Sequence, residues 1–171
     1  MTQNLKKAYL AGGCFWGMED LFRKEQGIVD TEVGYTGGNV VDPTYQNHDG
    51  HAEALEITYD ADVISYQGVL DFFFRIHNPT TVNQQGNDRG TSYRSAIFYQ
   101  NEDEKLQSEA MIAIVNQSGR WPSPVVTTLE KYDVFYRAEP NHQDYLKHNP
   151  FGYTCHYVRW GTYLDETKKL V

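Results

Sequence analysis

Length, composition and charge narrow the class of protein. The chain of 171 residues is long enough for one domain with a substantial core, and too short for two ordinary ones. A formal charge of −8 argues against a nucleic acid or an anionic membrane as the main partner, because both require a basic surface. The sequence has no apolar run of about 20 residues and no apolar stretch typical of a signal peptide at its start, so we expect a cytoplasmic protein. We also expect a monomer, although the sequence contains no feature that determines the oligomeric state.

Predicted strands and helices alternate along the first half of the chain. Alternating apolar residues predict strands, and apolar residues at helical spacing predict helices. The predicted elements are a strand at residues 6–11, a helix at 15–26, strands at 28–35 and 51–59, and a helix at 65–77 with Ser65 as its N-cap. The intervening loop, residues 36–50, is long and rich in Gly, Asn, Asp and Pro, which makes it a candidate functional segment.

The second half contains longer irregular segments. A loop at residues 78–93 precedes a strand at 94–100, and Asn101 with Glu104 forms a capping-box pattern for a helix that extends to about residue 118. Strands at 124–130 and 134–137, a short helix at 141–148 and a tail follow. This order predicts one α+β domain over residues 1–171. We expect a two-layer sandwich with a mixed or antiparallel sheet, a ferredoxin-like (split βαβ) core and a long irregular C-terminal tail at about residues 149–171.

The sequence GGCFWG at residues 12–17 places Cys14 where a strand turns into a helix. Unpaired N–H groups and the helix dipole stabilise a thiolate at such a position, which predicts a lowered pKa for Cys14. Gly12 and Gly13 would permit a tight turn and the close approach of a substrate to the backbone. The alternative is that Cys14 is a small core residue between strand and helix.

The cysteine count and the other motifs exclude several kinds of site. Cys14 and Cys155 are the two cysteines, and one structural disulfide is unusual in a cytosolic domain of this size, so free or catalytic thiols are expected. Zinc would require more cysteines, and no glycine-rich phosphate-binding motif supports a nucleotide. His48 and His51 form an HxxH pair at a loop–strand junction without an evident third ligand, so we interpret them as surface or hydrogen-bonded histidines.

A second candidate group is Glu53, in the predicted strand of GHAEALEITYD at residues 50–60. Alternate residues of a strand share a face, so Glu53 points with Leu55, Ile57 and Tyr59. A carboxyl in apolar surroundings resists ionisation, and Glu53 would then stay protonated near neutral pH and donate a proton. Two alternatives remain open: the side chain is in water at a fraying strand end, or it forms an ion pair with a lysine or arginine.

Two loops carry further polar candidates at strand entries. DPTYQNHDGH contains Tyr45, and GNDRGTSYRSAIFY contains Asp88 and Tyr93. Tyrosine hydroxyls in such positions can hydrogen-bond a polar substrate while their rings pack beside it. The alternative for each tyrosine is ordinary packing, since the chain has 13 of them.

The segments GCFWGMED, GYTGG, DPTY, GHAEALEITYD and GNDRGTSYRSAIFY occur in this order along the chain. In this order and spacing the sequence resembles the A-type peptide methionine sulfoxide reductases, from Lys6 to the segment NPFGYTCHY. The resemblance implies a catalytic domain that reduces methionine S-sulfoxide, free or in proteins, without a bound cofactor or metal. It also implies that thioredoxin or another dithiol is the reductant.

The resemblance assigns a role to each matched position. Cys14 would be the nucleophile that attacks the sulfoxide sulfur, and Glu53 would protonate the sulfoxide oxygen, with further hydrogen bonds from Tyr45 and Tyr93. The other matched residues would bind substrate: Phe15 and Trp16 would hold the S-methyl group, and Asp88 would help to organise the pocket.

The resemblance also implies a second half-reaction. Attack would leave a sulfenic acid on Cys14, and Cys155 would convert it to a disulfide that thioredoxin reduces. Many relatives have the second cysteine in a glycine-rich tail, whereas this tail surrounds Cys155 with Tyr, His and Trp. If Cys155 cannot reach Cys14, an external thiol must resolve the sulfenic acid. The alternative functions are a thiol peroxidase and a non-catalytic sulfoxide- or peptide-binding module.

Overall fold

The computed structural model describes residues 3–159 and 161–164. The strands in these ranges are β1 Leu5–Gly12, β2 Ile28–Thr36, β3 Ala52–Asp60, β4 Gln84–Gln85, β5 Asp88–Arg89, β6 Ser95–Tyr99, β7 Thr128–Lys131 and β8 Phe135–Arg137. The α-helices are α1 Phe15–Arg23, α2 Tyr66–Ile76, α3 Glu102–Gln117 and α4 Tyr145–His148. None of the helices described is long and apolar enough to span a bilayer.

Six of the strands form one mixed sheet, in the order β7-β6-β1-β3-β2-β8. Every neighbouring pair is antiparallel except β6 and β7, which are parallel. The two short strands β4 and β5 pair with each other in a separate hairpin. The predicted α+β class and the mixed sheet are therefore confirmed.

The two faces of the sheet are covered differently. On one face, strand residues such as Leu10 and Leu55 join the apolar residues of α1, α2 and α3 in the main core. The other face is lined by alanines of the central strands together with Tyr9 and Phe98, and Tyr132 and Phe135 pack against this cluster. The ring of Tyr132 stacks on Tyr9 of β1 with 4.1 Å between centroids. The helices therefore form a single layer, on the face of the sheet to which Glu53 belongs by alternation.

Helix boundaries follow local capping. Ser65 caps α2 by accepting a hydrogen bond from the Gly68 N–H, as predicted. The Asn101 side chain caps α3 by accepting from the Glu104 N–H at 2.9 Å, and Glu104 accepts in return from the Gln100 N–H. α1 ends at Arg23, three residues before the predicted end at residue 26.

The largest differences from the predicted elements lie in the loops and the C-terminal third. The predicted strand at 124–130 is regular only from Thr128, and the loop at 78–93 contains β4, β5 and a 3-10 helix, Thr91–Tyr93. The predicted helix at 141–148 divides into a 3-10 turn and α4, because Asp144 between them is left-handed with φ 53°. Residues 149–159 contain neither helix nor strand. The rest of the predicted tail, beyond residue 164, lies outside the described residues.

Candidate active site

Cys14 lies between the end of β1 and the start of α1, where it is the N-cap residue and 5% exposed. Gly13 before it has φ +97°, a conformation that L side chains rarely adopt. A Cβ at Gly13 would lie 2.6 Å from the Gln85 side chain, and one at Gly12 would lie 3.0 Å from Met18 Sδ. The two glycines therefore make room for the protein's own side chains. The predicted close approach of a substrate to this backbone stays a prediction.

The environment of Cys14 raises its pKa to about 12, chiefly because burial disfavours the thiolate and secondly because the Glu53 carboxylate is close. The N–H groups of Trp16 and Gly17 at the helix start act in the opposite direction but do not overcome these effects. The predicted lowering of the thiol pKa is therefore wrong. The helix N-terminus stabilises the anion as expected, but desolvation outweighs it.

Glu53 lies on β3, opposite Tyr35 of β2, and is 1% exposed. Its Oε1 accepts a hydrogen bond from the Phe15 N–H at 3.1 Å, which places the carboxyl beside the residue that follows Cys14. Its Oε2 is buried and has no hydrogen-bond partner among the described residues. Burial raises the pKa of Glu53 to about 8. The predicted burial of this carboxyl is confirmed, and its raised pKa favours the protonated form at neutral pH. The side chain is not at a fraying strand end, and it forms no ion pair with any residue that the structure describes.

An aromatic wall adjoins the two acidic groups. Phe15 is 1% exposed, with its ring centroid 6.3 Å from that of Tyr45 and 5.5 Å from that of His142. Trp16 stacks on Tyr145 of α4 at 3.9 Å, with 14° between the rings. The Trp16 Nε1–H donates to His142 Nδ1 at 3.0 Å, which fixes the orientation of the indole. Trp16 is therefore held by a stacking contact with Tyr145 and a hydrogen bond to His142.

Tyr45 and Tyr93 come together near Cys14 and Glu53. Burial raises the pKa of both hydroxyls, and the negative charges of Glu53 and Cys14 raise them further. A side-chain interaction with Tyr93 partly offsets this effect at Tyr45. Tyr45 is 36% exposed and borders an open cleft of about 470 Å³. Both hydroxyls therefore stay protonated and can donate hydrogen bonds at the mouth of the site.

Asp88 and Cys155 form the other side of the site. The Tyr153 hydroxyl donates to Asp88 Oδ2 at 3.3 Å, and Cys155 Sγ lies 4.0 Å from the same oxygen. Burial raises the pKa of Asp88. Cys14 and Cys155 are both free thiols. Cys155 Sγ also contacts the Gln85 carbonyl oxygen at 3.8 Å.

Three further residues support the site and were not found from the sequence. His142 holds Trp16, and burial lowers the pKa of His142, so its ring is neutral. Glu139 accepts hydrogen bonds from the Tyr35 hydroxyl at 2.9 Å and from the Tyr45 N–H at 3.0 Å, and so fixes the loop that carries Tyr45. Tyr145 stacks on Trp16. No local pattern distinguishes these residues, because they reach the site only through the fold.

The two histidines of the HxxH pair do not form a metal site. Buried His51 uses Nδ1 to accept from the Gly38 N–H at 3.0 Å and Nε2 to contact the Val40 carbonyl at 2.8 Å. His48 Nε2 contacts Ser92 Oγ at 2.7 Å. Within the ranges that the structure describes, no group of three or more His, Cys, Asp or Glu residues could hold a metal ion.

A buried thiol beside a neutral carboxyl and an aromatic wall fits a thiol oxidoreductase. The model of the family described as "Peptide methionine sulfoxide reductase" matches residues 6–169. The chain therefore belongs to the peptide methionine sulfoxide reductase family, and its relatives place it with the A type. The resemblance seen in the sequence is confirmed.

Individual relatives agree with this assignment. A protein of Mycobacterium sp. (strain JLS) described as "Peptide methionine sulfoxide reductase MsrA" is 60% identical over 154 residues, covering 90% of each chain. The crystal structure of Mxr1 from Saccharomyces cerevisiae in reduced form has a TM-score of 0.85 and 38% identity, covering 92% of this chain and 93% of that one. Mxr1 in complex with Trx2 has a TM-score of 0.64 and 29% identity, covering 92% and 91%.

Proposed function

We propose that this enzyme reduces methionine S-sulfoxide, free or in proteins, to methionine and is recycled by thioredoxin. In this proposal Cys14 is the nucleophile, Glu53 the proton donor and Cys155 the thiol that resolves the oxidised intermediate. The observation that carries the mechanism is the unpartnered Oε2 of Glu53, since its carboxyl is protonated at neutral pH and lies beside the Cys14 turn.

The two carboxyl oxygens have different hydrogen-bonding roles. Oε1 accepts the Phe15 N–H and so behaves as the carbonyl oxygen of a neutral acid. The proton then resides on Oε2, whose donor capacity is not used by any described residue. A buried donor without an acceptor costs about 1–3 kcal/mol. A sulfoxide oxygen placed against Oε2 would accept this hydrogen bond and recover that energy. The thioether of methionine has no such oxygen.

The proton balance of the first step involves the thiol and the carboxyl. The Cys14 sulfur forms a bond to the sulfoxide sulfur while Glu53 transfers its proton to the sulfoxide oxygen, and the Glu53 carboxyl regains a proton from the thiol. The substrate S–O bond and the bond between the two sulfurs then break as the hydroxyl passes to the Cys14 sulfur. The substrate leaves as methionine with two more electrons, and Cys14 becomes a sulfenic acid. The raised pKa of Cys14 is compatible with this order, because its proton is lost only when the oxygen accepts one from Glu53.

The aromatic wall and the tyrosines would select the oxidised substrate. Phe15 and Trp16 provide an apolar surface for the S-methyl group. Tyr45 and Tyr93 can donate to the sulfoxide oxygen, which is consistent with the effect of Glu53 and Cys14 charges on both hydroxyls. Methionine would leave the buried Oε2 donor of Glu53 unpaired and bind more weakly. Asp88 would organise the pocket from the opposite side, as its contact with Tyr153 supports.

The second half-reaction would transfer oxidation to Cys155. Both cysteines are free thiols, and Cys155 contacts Gln85, the residue that packs against Gly13. A Cys14–Cys155 disulfide would then be reduced by thioredoxin. The Mxr1–Trx2 complex supports thioredoxin as the partner class for this family member.

A single-turnover assay tests the proposal. The enzyme without reductant is mixed with methionine S-sulfoxide, and methionine is measured together with the mass of the thiol-trapped protein. We expect one methionine per enzyme and a loss of two hydrogens that maps to Cys14 and Cys155. The R-sulfoxide and hydrogen peroxide are compared as substrates, and faster reduction of peroxide would identify a thiol peroxidase. A Cys14→Ser variant that keeps ligand affinity while wild type shows no turnover would identify a binding module.

We also propose that residues 1–171 form one catalytic domain whose core is a ferredoxin-like split βαβ unit, with a tail at about 149–171. The strand order β6-β1-β3-β2, with α1 and α2 connecting its strands on one face, supports this classification. We propose a cytoplasmic monomer that uses no bound cofactor. We also propose that it binds neither nucleic acid nor membrane, since a charge of −8 disfavours both.

A further inference from the structure

The irregular C-terminal segment is held against the start of α1 by a buried histidine. His156 is 7% exposed, and its Nε2–H donates to the Gly12 carbonyl oxygen at 2.7 Å. The two residues are 144 positions apart in the sequence. His156 therefore connects the segment that carries Cys155 to the turn that carries Cys14.

The glycine that ends GCFWG makes room for this contact. A Cβ at Gly17 would clash with Nδ1 of His156 and would lie 2.6 Å from Thr154 Oγ1. A Cβ at Gly13 would lie 3.3 Å from Nε2 of the same imidazole. Gly17 lies within α1, where glycine lowers helix stability by about 1 kcal/mol relative to alanine. The contact with His156 explains why residue 17 is a glycine. The proposed sulfoxide reduction gives the Gly17 side-chain position no role.

The same docking fixes the position of Cys155. Its Sγ contacts the Gln85 carbonyl at 3.8 Å, and a Cβ at Gly86 would lie 3.4 Å from Sγ. Gln85 in turn packs its side chain against Gly13. The thiol of Cys155 is thus held beside the turn of Cys14 by contacts on both sides, His156 on one and the β4–β5 hairpin on the other.

We propose that His156 is a positioning residue that docks the C-terminal segment on Gly12 and Gly17 and thereby presents Cys155 to the oxidised Cys14. This rests on the proposed role of Cys155 in the second half-reaction. In that step the Cys14 S–O bond breaks and an S–S bond to Cys155 forms. The Cys155 thiol proton leaves with the oxygen as water, so no further oxidant or reductant is needed.

The neutral state of the imidazole keeps the hydrogen bond between His156 and Gly12 intact at physiological pH. Burial lowers the pKa of His156 to about 4. The ring is therefore neutral at physiological pH, and the bond to the Gly12 carbonyl places its single proton on Nε2. Without this contact the Cys155 thiol would lie on a mobile segment. We therefore expect disulfide formation with Cys14 to be about 10- to 100-fold slower.

The test measures the two half-reactions separately in His156→Ala and His156→Gln. The control is His148→Ala, which removes an exposed histidine at the end of α4. Rapid quenching measures methionine release and disulfide formation. In His156→Ala we expect methionine release within about twofold of wild type and disulfide formation about 10- to 100-fold slower. His156→Gln restores most of the rate because its amide N–H₂ can donate to the Gly12 carbonyl. His148→Ala behaves as wild type.

Turnover with thioredoxin and with dithiothreitol gives a second readout. His156→Ala should be slow with thioredoxin and close to wild type with dithiothreitol, which reduces the sulfenic acid directly. Unchanged or faster disulfide formation in His156→Ala would overturn the proposal, as would an equal loss in methionine release. If Cys155→Ser instead retains full turnover with thioredoxin, the proposed role of Cys155 fails, whatever the histidine variants do.

Discussion

Substitution of Glu53 by glutamine tests the buried acid through protein stability. Burial raises the pKa of Glu53 from about 4.5 to about 8. Between these pH values the folded protein holds a proton that the unfolded chain releases, so the free energy of unfolding falls as the pH rises and is level above about 8. At about 1.4 kcal/mol for each pH unit, the whole interval is worth about 5 kcal/mol. Between pH 5 and pH 8 the expected loss is about 3 kcal/mol.

Glu53→Gln removes this loss because an amide does not titrate. Urea unfolding of both proteins at pH 5 and pH 8 measures it. The difference in free energy of unfolding, variant minus wild type, should increase by about 3 kcal/mol between the two pH values. If the difference stays constant, Glu53 is ionised across this range and the reasoning is wrong.

The same substitution tests catalysis. Glu53→Gln should slow methionine release by about 10²- to 10⁴-fold at pH 7, since it removes the proton donor. The wild-type rate should fall above pH 8 as Glu53 ionises, and the variant should lack that fall. Glu56→Gln is the matched control on β3, since Glu56 points to the opposite face and pairs with Lys7. A Glu53→Gln variant with the wild-type rate at every pH would refute the mechanism.

Five further substitutions probe separate parts of the site and fold. Cys155→Ser should release about one methionine per enzyme and then stop with thioredoxin as reductant, measured as product per active site. Trp16→Phe loses the indole hydrogen bond, worth about 1 kcal/mol, so the KM should rise about fivefold with little change in kcat. Tyr45→Phe and Tyr93→Phe each remove one donor to the sulfoxide oxygen, and kcat should fall about tenfold in each. Asn101→Ala removes the cap of α3 and should lower the free energy of unfolding by about 1 kcal/mol in urea, with unchanged kcat.

Each of these predictions has a result that contradicts it. Repeated turnover of Cys155→Ser with thioredoxin would show that another thiol resolves the intermediate. A fall in kcat without a change in KM for Trp16→Phe would mean that the indole acts on the transition state alone. Wild-type kcat in the tyrosine variants would place their hydroxyls away from the sulfoxide oxygen. If Asn101→Ala has the wild-type free energy of unfolding, packing and not the cap determines the start of α3.

The sequence predicted those features that depend on local chemistry or strand alternation. The Ser65 and Asn101 caps follow from hydrogen bonds within one turn, and both are present. The burial of Glu53 follows from its position on the same face as Leu55, and it is confirmed. These predictions were right because each depends on residues that are close in sequence.

The pKa of Cys14 and the residues behind Trp16 could not be predicted in the same way. The helix N-terminus is visible in the sequence and lowers the pKa of Cys14, but the opposing desolvation depends on how completely distant segments cover the thiol. His142 reaches Trp16 from 126 residues away. The division of the predicted helix at 141–148 depends on left-handed Asp144, whose N–H donates to buried Glu19 of α1.

The burial of Cys14 has a consequence for the resting enzyme. An ordinary cysteine with a pKa near 9 is about 1% thiolate at pH 7, whereas a pKa of about 12 leaves about one molecule in 10⁵ ionised. Alkylating agents attack the thiolate, so burial slows their reaction with the resting Cys14 sulfur. In the proposed mechanism the thiol loses its proton only when a bound sulfoxide accepts the proton of Glu53.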